Sequence, residues 1–330
     1  MSPRLAGPLL ALLAFGLYAC HDAVVKILGA RYAPPQILFF SVLFSFPLAT
    51  MLMMREKQAS TLRPVHPWWV ALRTAAAVMA ALCGFYAFTV LPLAQAYALI
   101  FAAPLLVTVF SIPVLGEKVG RHRWAAVIVG LIGVLVVLRP GSADLGPGHL
   151  AALGAAFAAS LVSVISRRIG REERPVVMML YPMMVNLLVM ATLLPGLYRP
   201  APFGDMVLFA CVALLGFAGG LITIAAYTRA DAAVVAPMHY SQIIWAAGFG
   251  TFLFNEPTDR NTWIGASIVI ASGLYVVLRE SRGSSENTPV TSGRTRPELP
   301  GTPRIANAIL ARANRVPPGH VALANRDRTH

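Results

Sequence analysis

The sequence predicts an all-α membrane protein: ten transmembrane helices in two inverted halves of five, followed by a disordered C-terminal tail. Three observations lead there. Hydrophobic residues make up 57% of the 330 and charged residues only 12%, with a mean hydropathy of +0.67; a soluble domain carries about 25% charge. Uncharged runs long enough to cross a bilayer recur along the chain. Displaced by about 139 residues, the chain falls into rough register with itself. So little polar surface cannot cover a water-soluble globule, which excludes a cytosolic enzyme and a free nucleic-acid-binding protein.

The runs cover 5–21, 32–54, 74–116, 124–138, 145–166, 175–198, 206–228, 232–255 and 261–278. A helix needs about 20 residues to cross the hydrocarbon. The 74–116 run is interrupted by Leu91-Pro92-Leu93, and proline lacks a donor and clashes inside a helix, so this run reads as two helices and a tight turn. The 124–138 run is short, with Trp124 and Arg139 marking its interfaces. The spans are therefore 5–28, 35–54, 68–90, 93–115, 122–138, 149–167, 175–195, 206–228, 232–254 and 261–279. They are too long for buried strands and lack alternation. Backbone polar groups in lipid must be satisfied within the element, which a helix does. The first span reads as a span rather than a cleaved signal, because nine more follow and no small-residue cleavage site precedes Asp22.

The loops set orientation. Twelve basic residues lie on the side of the N-terminus, from Arg4 through Arg63, Arg123 and Arg174 to Arg229. Four lie opposite: Arg31, Arg139, Arg199 and Arg260. This bias places both termini in the cytoplasm of a cell whose inner membrane holds the protein. Residues 281–330 are rich in Arg, Pro, Gly and Ser without an apolar run, and read as a disordered cytoplasmic tail attracted to anionic lipid. No nucleic-acid partner is expected. Cys20, Cys83 and Cys211 are odd in number and widely spaced, so neither a disulfide framework nor a metal cluster is expected.

The internal repeat pairs Phe88 with Tyr227, Thr89 with Thr228, Glu117 with Glu256 and Trp124 with Trp263. VVLR at 136–139 returns at 276–279, and Pro35 matches Pro175, each after one inserted residue. Residues 1–141 form the first repeat and 142–280 the second. Five spans per repeat is an odd number, so the second half enters from the opposite side. Glu117 then faces the cytoplasm and Glu256 the outside. Inverted halves suit a binding cavity near the midplane and alternating access.

On these residues the chain resembles the drug/metabolite transporter superfamily, in its EamA-domain branch. In the first half the resemblance rests on Arg73, LPLAQAYAL at 91–99, AAPL at 102–105, LGEKVGRHRW at 115–124 and GLIGVLVVLRPG at 130–141. In the second it rests on YTRADAAVVAPMHYSQIIWA at 227–246 and FNEPTDRNTWIG at 254–265. HDAVVKILG at 21–29 and the Asp231–Tyr240 stretch are most similar to bacterial uptake carriers for S-adenosylmethionine or riboflavin. The resemblance implies a ten-helix basket around a central cavity and secondary transport of a small metabolite, without naming the cargo. Efflux of amino acids or drugs fits the same architecture.

Several residues stand out as chemistry at membrane depth. Asp22 and Lys26 are four apart and can pair, with His21 about 100° away. Charges there face a cavity or each other, or Lys26 snorkels to the outer mouth. Asp22 and His21 also suit a coupling proton. Arg73 follows the Trp68-Trp69 belt and is either interfacial or an anion ligand at the cavity floor. The ninth span carries His239, Tyr240, Gln242 and Trp245, matched in the fourth by Gln95, Tyr97 and Thr108. Such a set suits a planar ring, and equally suits packing between helices. Asp231 reads as a helix cap, and Glu117 and Glu256 as structural or gating groups at helix ends. Gly130, Gly133, Gly216, Gly220, Gly248 and Gly250 permit close helix approach. Pro104, Pro113, Pro182 and Pro237 are candidate breaks around the cavity.

No phosphate-binding GxxxxGK[ST] loop, HExxH or CxxC occurs, so ATP drive, an ATPase subunit, a metal and a cofactor are not expected. An intramembrane enzyme or a scaffold is the competing class. His21-Asp22 is its only catalytic candidate, and no serine or cysteine partner is evident. No oligomeric state is indicated.

Overall fold

The computed structural model describes residues 3–54, 63–117, 119–140, 145–170, 172–230 and 232–283. Twelve α-helices occur among them: α1 (Pro3–Gly29), α2 (Pro34–Met54), α3 (Pro67–Val90), α4 (Leu93–Ile100), α5 (Ala103–Leu115), α6 (Arg121–Leu138), α7 (Pro147–Ile169), α8 (Pro175–Leu193), α9 (Phe203–Arg229), α10 (Ala232–Met238), α11 (Ser241–Phe254) and α12 (Arg260–Gly283). A 3-10 turn at Leu194–Gly196 ends α8. Nine described segments are long and apolar enough to cross a membrane, and α11 is a shorter apolar helix. The chain is an all-α, multi-pass membrane protein. The tail expected at 281–330 lies outside the described residues from 284 onward, and α12 carries helix to Gly283.

Local chemistry explains the helix ends. Pro67, Pro147 and Pro175 open α3, α7 and α8, where a missing N–H costs nothing. Gly116 closes α5 at φ +71°, and Asn255 closes α11 at φ +53°, both left-handed. The next residue then reaches back six positions in each case: Glu117 N–H bonds the Ser111 carbonyl and Glu256 N–H bonds that of Gly250.

The fourth and ninth spans, expected at 93–115 and 232–254 as continuous helices, are each broken near the middle. α4 stops at Ile100 and α5 restarts at Ala103, with Phe101-Ala102 between them. α10 stops at Met238 and α11 restarts at Ser241, with His239-Tyr240 between. Pro104 and Pro237 flank the two breaks, and neither can donate to the preceding turn. Three-residue bonds bridge the gaps, Ala102 N–H to the Leu99 carbonyl and Tyr240 N–H to that of Pro237. Pro113 and Pro182 sit inside helices that continue past them.

Packing pairs α1 with α9, α3 with α7, and α6 with α12. At the last contact the backbones touch. A Cβ on Gly133 would stand 2.9 Å from the Gly265 carbonyl oxygen, and one on Gly265 would stand 2.6 Å from that of Gly133. The largest buried cluster includes Leu28, Ile37, Leu93, Leu99, Val134 and Phe209, drawn from both halves of the chain.

Helix ends gather at two polar faces. On the first, Tyr32 donates to Asp205 Oδ2 at 2.6 Å and Arg31 to Asp205 Oδ1 at 2.9 Å. Gln36 bonds both the carbonyl and the N–H of Arg199, at 2.6 and 2.8 Å. Lys26 pairs with Glu256 at 2.9 Å, and Arg139 pairs with Asp259, which caps α12 through Asn261 and Thr262. On the second face, Arg167 donates to Glu117 at 2.6 Å, Arg168 to the Val114 carbonyl, and His66 N–H to Glu173 at 2.5 Å. Near this face α1 meets the end of α9, where Gly7 abuts Ala230. Hence α1 and α3 run from the second face to the first, and α7 and α9 run the other way.

Candidate functional site

A cavity of about 350 Å³ lies between α1, α2, α3, α8 and α9. Its size falls in the usual range for small organic ligands, about 300–1,000 Å³. Tyr18 and His21 of α1, Phe85 of α3, Phe217 of α9 and Met179 and Met183 of α8 give it aromatic and thioether walls. Ser41, Ser45 and Asn186 supply the uncharged polar groups. Lysine, arginine, aspartate and glutamate are absent from its described lining. The lining reaches Ala49, Met179 and Ile224, which lie in the parts of α2, α8 and α9 that lead to the second face. The other end stops at Leu38, His21 and Val212, short of the Asp205 cluster.

Ser41 and Ser45 each donate back one helical turn, to the carbonyls of Ile37 and Ser41, at 2.7 and 2.8 Å. Their oxygens keep acceptor capacity toward the cavity. Asn186 is 7% exposed and its Oδ1 has no partner. A buried amide oxygen left this way costs about 1–3 kcal/mol, which a ligand donor would recover.

Behind His21 runs a chain of hydrogen bonds. His21 Nδ1 stands 2.7 Å from Asp22 Oδ1, the Tyr97 hydroxyl donates to Asp22 Oδ2, and Gln242 Nε2 donates to the Tyr97 oxygen at 3.3 Å. Asp22, Tyr97 and Gln242 are all buried. The chain thus links the cavity wall on α1 to α4 and α11, the helices adjoining the two breaks.

The structure separates other residues that the sequence grouped. Lys26 does not face Asp22. It donates to the Leu91 carbonyl at 2.6 Å, pairs with Glu256, and lies 5.4 Å from the centre of the Phe254 ring. One helical turn separates it from Asp22, but a carboxylate and a carbonyl from distant segments hold it elsewhere. It is buried rather than snorkelled. Arg73 is buried among α3, α7 and α8, donating to Ser166 Oγ and the Met178 carbonyl, both at 2.7 Å. His239 sits at its break between Phe15 and Phe101, with ring centroids at 4.9 and 5.1 Å. Tyr240 packs edge-on against Phe101, and its hydroxyl lies over Gly273. Trp245 is 44% exposed on the bundle surface, beside Gly16 and near Phe249. Of these residues only His21 lines the cavity. Glu117 and Glu256 each tie a helix end to another helix, and Asp231 lies outside the described residues.

Sequence reasoning passed over Asn186, Ser41, Ser45 and Asp205. The available signals were faint: one amide in the apolar run 175–198, two serines four apart in 32–54, and an acidic residue at the start of the eighth span. Outside the spans, the hydrogen bond to Asp205, followed by burial, raises the Tyr32 hydroxyl above the ordinary tyrosine range and keeps it a donor.

A solved crystal structure superposes with a TM-score of 0.56 at 19% identity, covering 87% of this chain and 99% of that one, which supports the fold alone. An S-adenosylmethionine uptake transporter of Rickettsia prowazekii is 27% identical over 270 residues, 80% of this chain and 90% of that protein. A riboflavin transporter of Rhizobium johnstonii is 27% identical over 249 residues, 74% and 79%. A pseudopaline exporter of Pseudomonas aeruginosa is 27% identical over 281 residues, 84% and 98%. These likenesses point to a carrier of small molecules rather than an enzyme. Residues 5–139 and 146–278 match the EamA-like transporter family, and the chain belongs to that family.

Proposed function

We propose that this protein is a secondary carrier in a bacterial inner membrane, and that the cavity between α1, α2, α3, α8 and α9 is its cargo chamber. The observation that carries this reading is the cavity itself, with the hydrogen-bonded chain from His21 to the two helix breaks behind it. An equilibrium between two packings needs an element that both cargo and coupling ion can bias. The broken helices, joined to the chamber through Tyr97 and Gln242, suit that role.

The two halves, 1–141 and 142–280, act as inverted repeats. Their packing is reciprocal: α1 on α9 is answered by α7 on α3, and α2 on α9 by α8 on α3. The α6–α12 and α2–α8 contacts join matching members of the halves. With the basic loops on the cytoplasmic side, the second face is cytoplasmic and both termini lie there. The chamber is then reached from the cytoplasm, and the Asp205 cluster closes the outer face. Asp22 and His21 carry a coupling proton.

The cargo is a ring-bearing metabolite of the riboflavin or S-adenosylmethionine kind, taken up from outside. Export is the second reading, and the likeness to a pseudopaline exporter favours it. Flux in proteoliposomes under inward and outward gradients, with and without a pH gradient, tests both. Asp22→Asn is expected to abolish accumulation driven by the pH gradient while exchange of labelled cargo partly survives. Undiminished accumulation in that variant removes Asp22 as the coupling group.

A further inference from the structure

We infer that the chamber between α1, α2, α3, α8 and α9 selects an organic cation, held against its aromatic walls near the His21–Asp22 pair, and turns away ligands whose net charge is negative. The inference rests on the carrier reading and sharpens its cargo. It follows from charge and hydrogen-bonding capacity, which the cargo must complement where it gives up its own water.

The described lining contributes no lysine or arginine. Ser41 and Ser45 have used their protons on backbone carbonyls, and Asn186 holds an unpartnered oxygen. The oxygens of Ser41, Ser45 and Asn186 remain as acceptors toward a ligand, and they match N–H and O–H donors and mismatch carboxylate or phosphate oxygens. The charge nearest the wall is Asp22, one hydrogen bond behind His21. In its carboxylate form it accepts from Tyr97 and His21, and among the described residues no lysine or arginine is paired with it. Lys26 is turned to Glu256 and the Leu91 carbonyl, and Arg73 donates to Ser166 and the Met178 carbonyl. Attraction between unit charges is only weakly screened where water is excluded. Tyr18, Phe85 and Phe217 line the wall, and the quadrupole of an aromatic ring attracts an onium group or a protonated amine. A net anion would enter against all three.

The test measures binding to the full chain in nanodiscs by isothermal titration, alongside flux in proteoliposomes. The probes share one adenosine ring: S-adenosylmethionine (cation), S-adenosylhomocysteine (no sulfonium charge) and adenosine 5′-monophosphate (anion). Binding is expected to weaken at least tenfold at each step in that order. Asp22→Asn is expected to bring the first two within threefold of each other, a change in ratio that loss of folded protein does not produce. Ser45→Lys, which places a cation on the wall, is expected to reverse the order of the first and last. An anion bound as tightly as the cation overturns the charge selection and leaves the carrier reading in place. A cation-to-neutral ratio unchanged in Asp22→Asn, with the order unmoved in Ser45→Lys, also overturns it. Flux of none of these probes, nor of riboflavin, under any gradient removes the carrier reading and the selection together.

Discussion

The two polar faces are built differently. On the first, ties cross the bundle: Asp205 at the start of α9 holds Arg31 and Tyr32 from the α1–α2 turn, and Gln36 of α2 grips the backbone of Arg199. Asp205, Tyr32 and Gln36 are buried. On the second face, the Glu117–Arg167 and His66–Glu173 contacts run along one flank, joining α3, α5, α7 and the α7–α8 turn. The Glu117–Arg167 pair is partly open to water, with side chains 29% and 37% exposed. A buried hydrogen bond to a charged group contributes about 1.5–3 kcal/mol. A solvated ion pair contributes about 0–1 kcal/mol. On the carrier reading, the cross-bundle contacts, with Asp205–Tyr32 as their buried tie, would serve as the latch, and the flank contacts, the buried Glu173 among them, would leave the cavity's open end untouched.

That contrast can be broken. The largest effect is expected for Asp205→Ala, which removes one acceptor group from two donors at once. In a background without native cysteines, a cysteine introduced at Val212, at the latch end of the chamber, should react at least tenfold faster with an impermeant maleimide applied from the first face. An unchanged rate would show that the Asp205 cluster does not close that face. Gln36→Leu should act in the same direction by about threefold, since two hydrogen bonds to backbone are lost while the Asp205 ties remain. Glu117→Gln should be smallest, shifting the labelling rate and the thermal midpoint within error, as expected of a solvated pair. If Glu117→Gln matches Asp205→Ala, the two faces are energetically equivalent and the contrast is lost.

The spans were legible because membrane insertion writes itself into local composition: the apolar runs became helical, two of them with a break near the middle. The breaks were only partly legible. Pro104 and Pro237 adjoin real interruptions, whereas Pro47, Pro113 and Pro182 lie inside helices that continue. A proline removes one donor wherever it falls, and the surrounding packing determines whether the helix bends or stops. The site was less legible still. Helical spacing suggested an Asp22–Lys26 pair, but periodicity cannot register that Glu256, 230 positions away, holds the lysine. The aromatic density of the ninth span drew attention to Trp245, which turned to the surface. The polar groups that line the chamber carry no charge and interrupt no run, so hydropathy passes over them. Asn186 is recognisable only once α8 is seen beside α2 and α3, across the cavity from α9.

The contact between Gly133 and Gly265 carries a consequence for how the gene tolerates change. Backbone meets backbone there, so no neighbouring rotamer can swing aside to admit a new side chain. Elsewhere in the bundle a lost or gained methyl group is shared among several adaptable neighbours. In a saturation library selected for membrane insertion, these two codons should behave as isolated points of near-zero tolerance, flanked on the exposed side by Ile132 and Ile264, where most apolar substitutions survive.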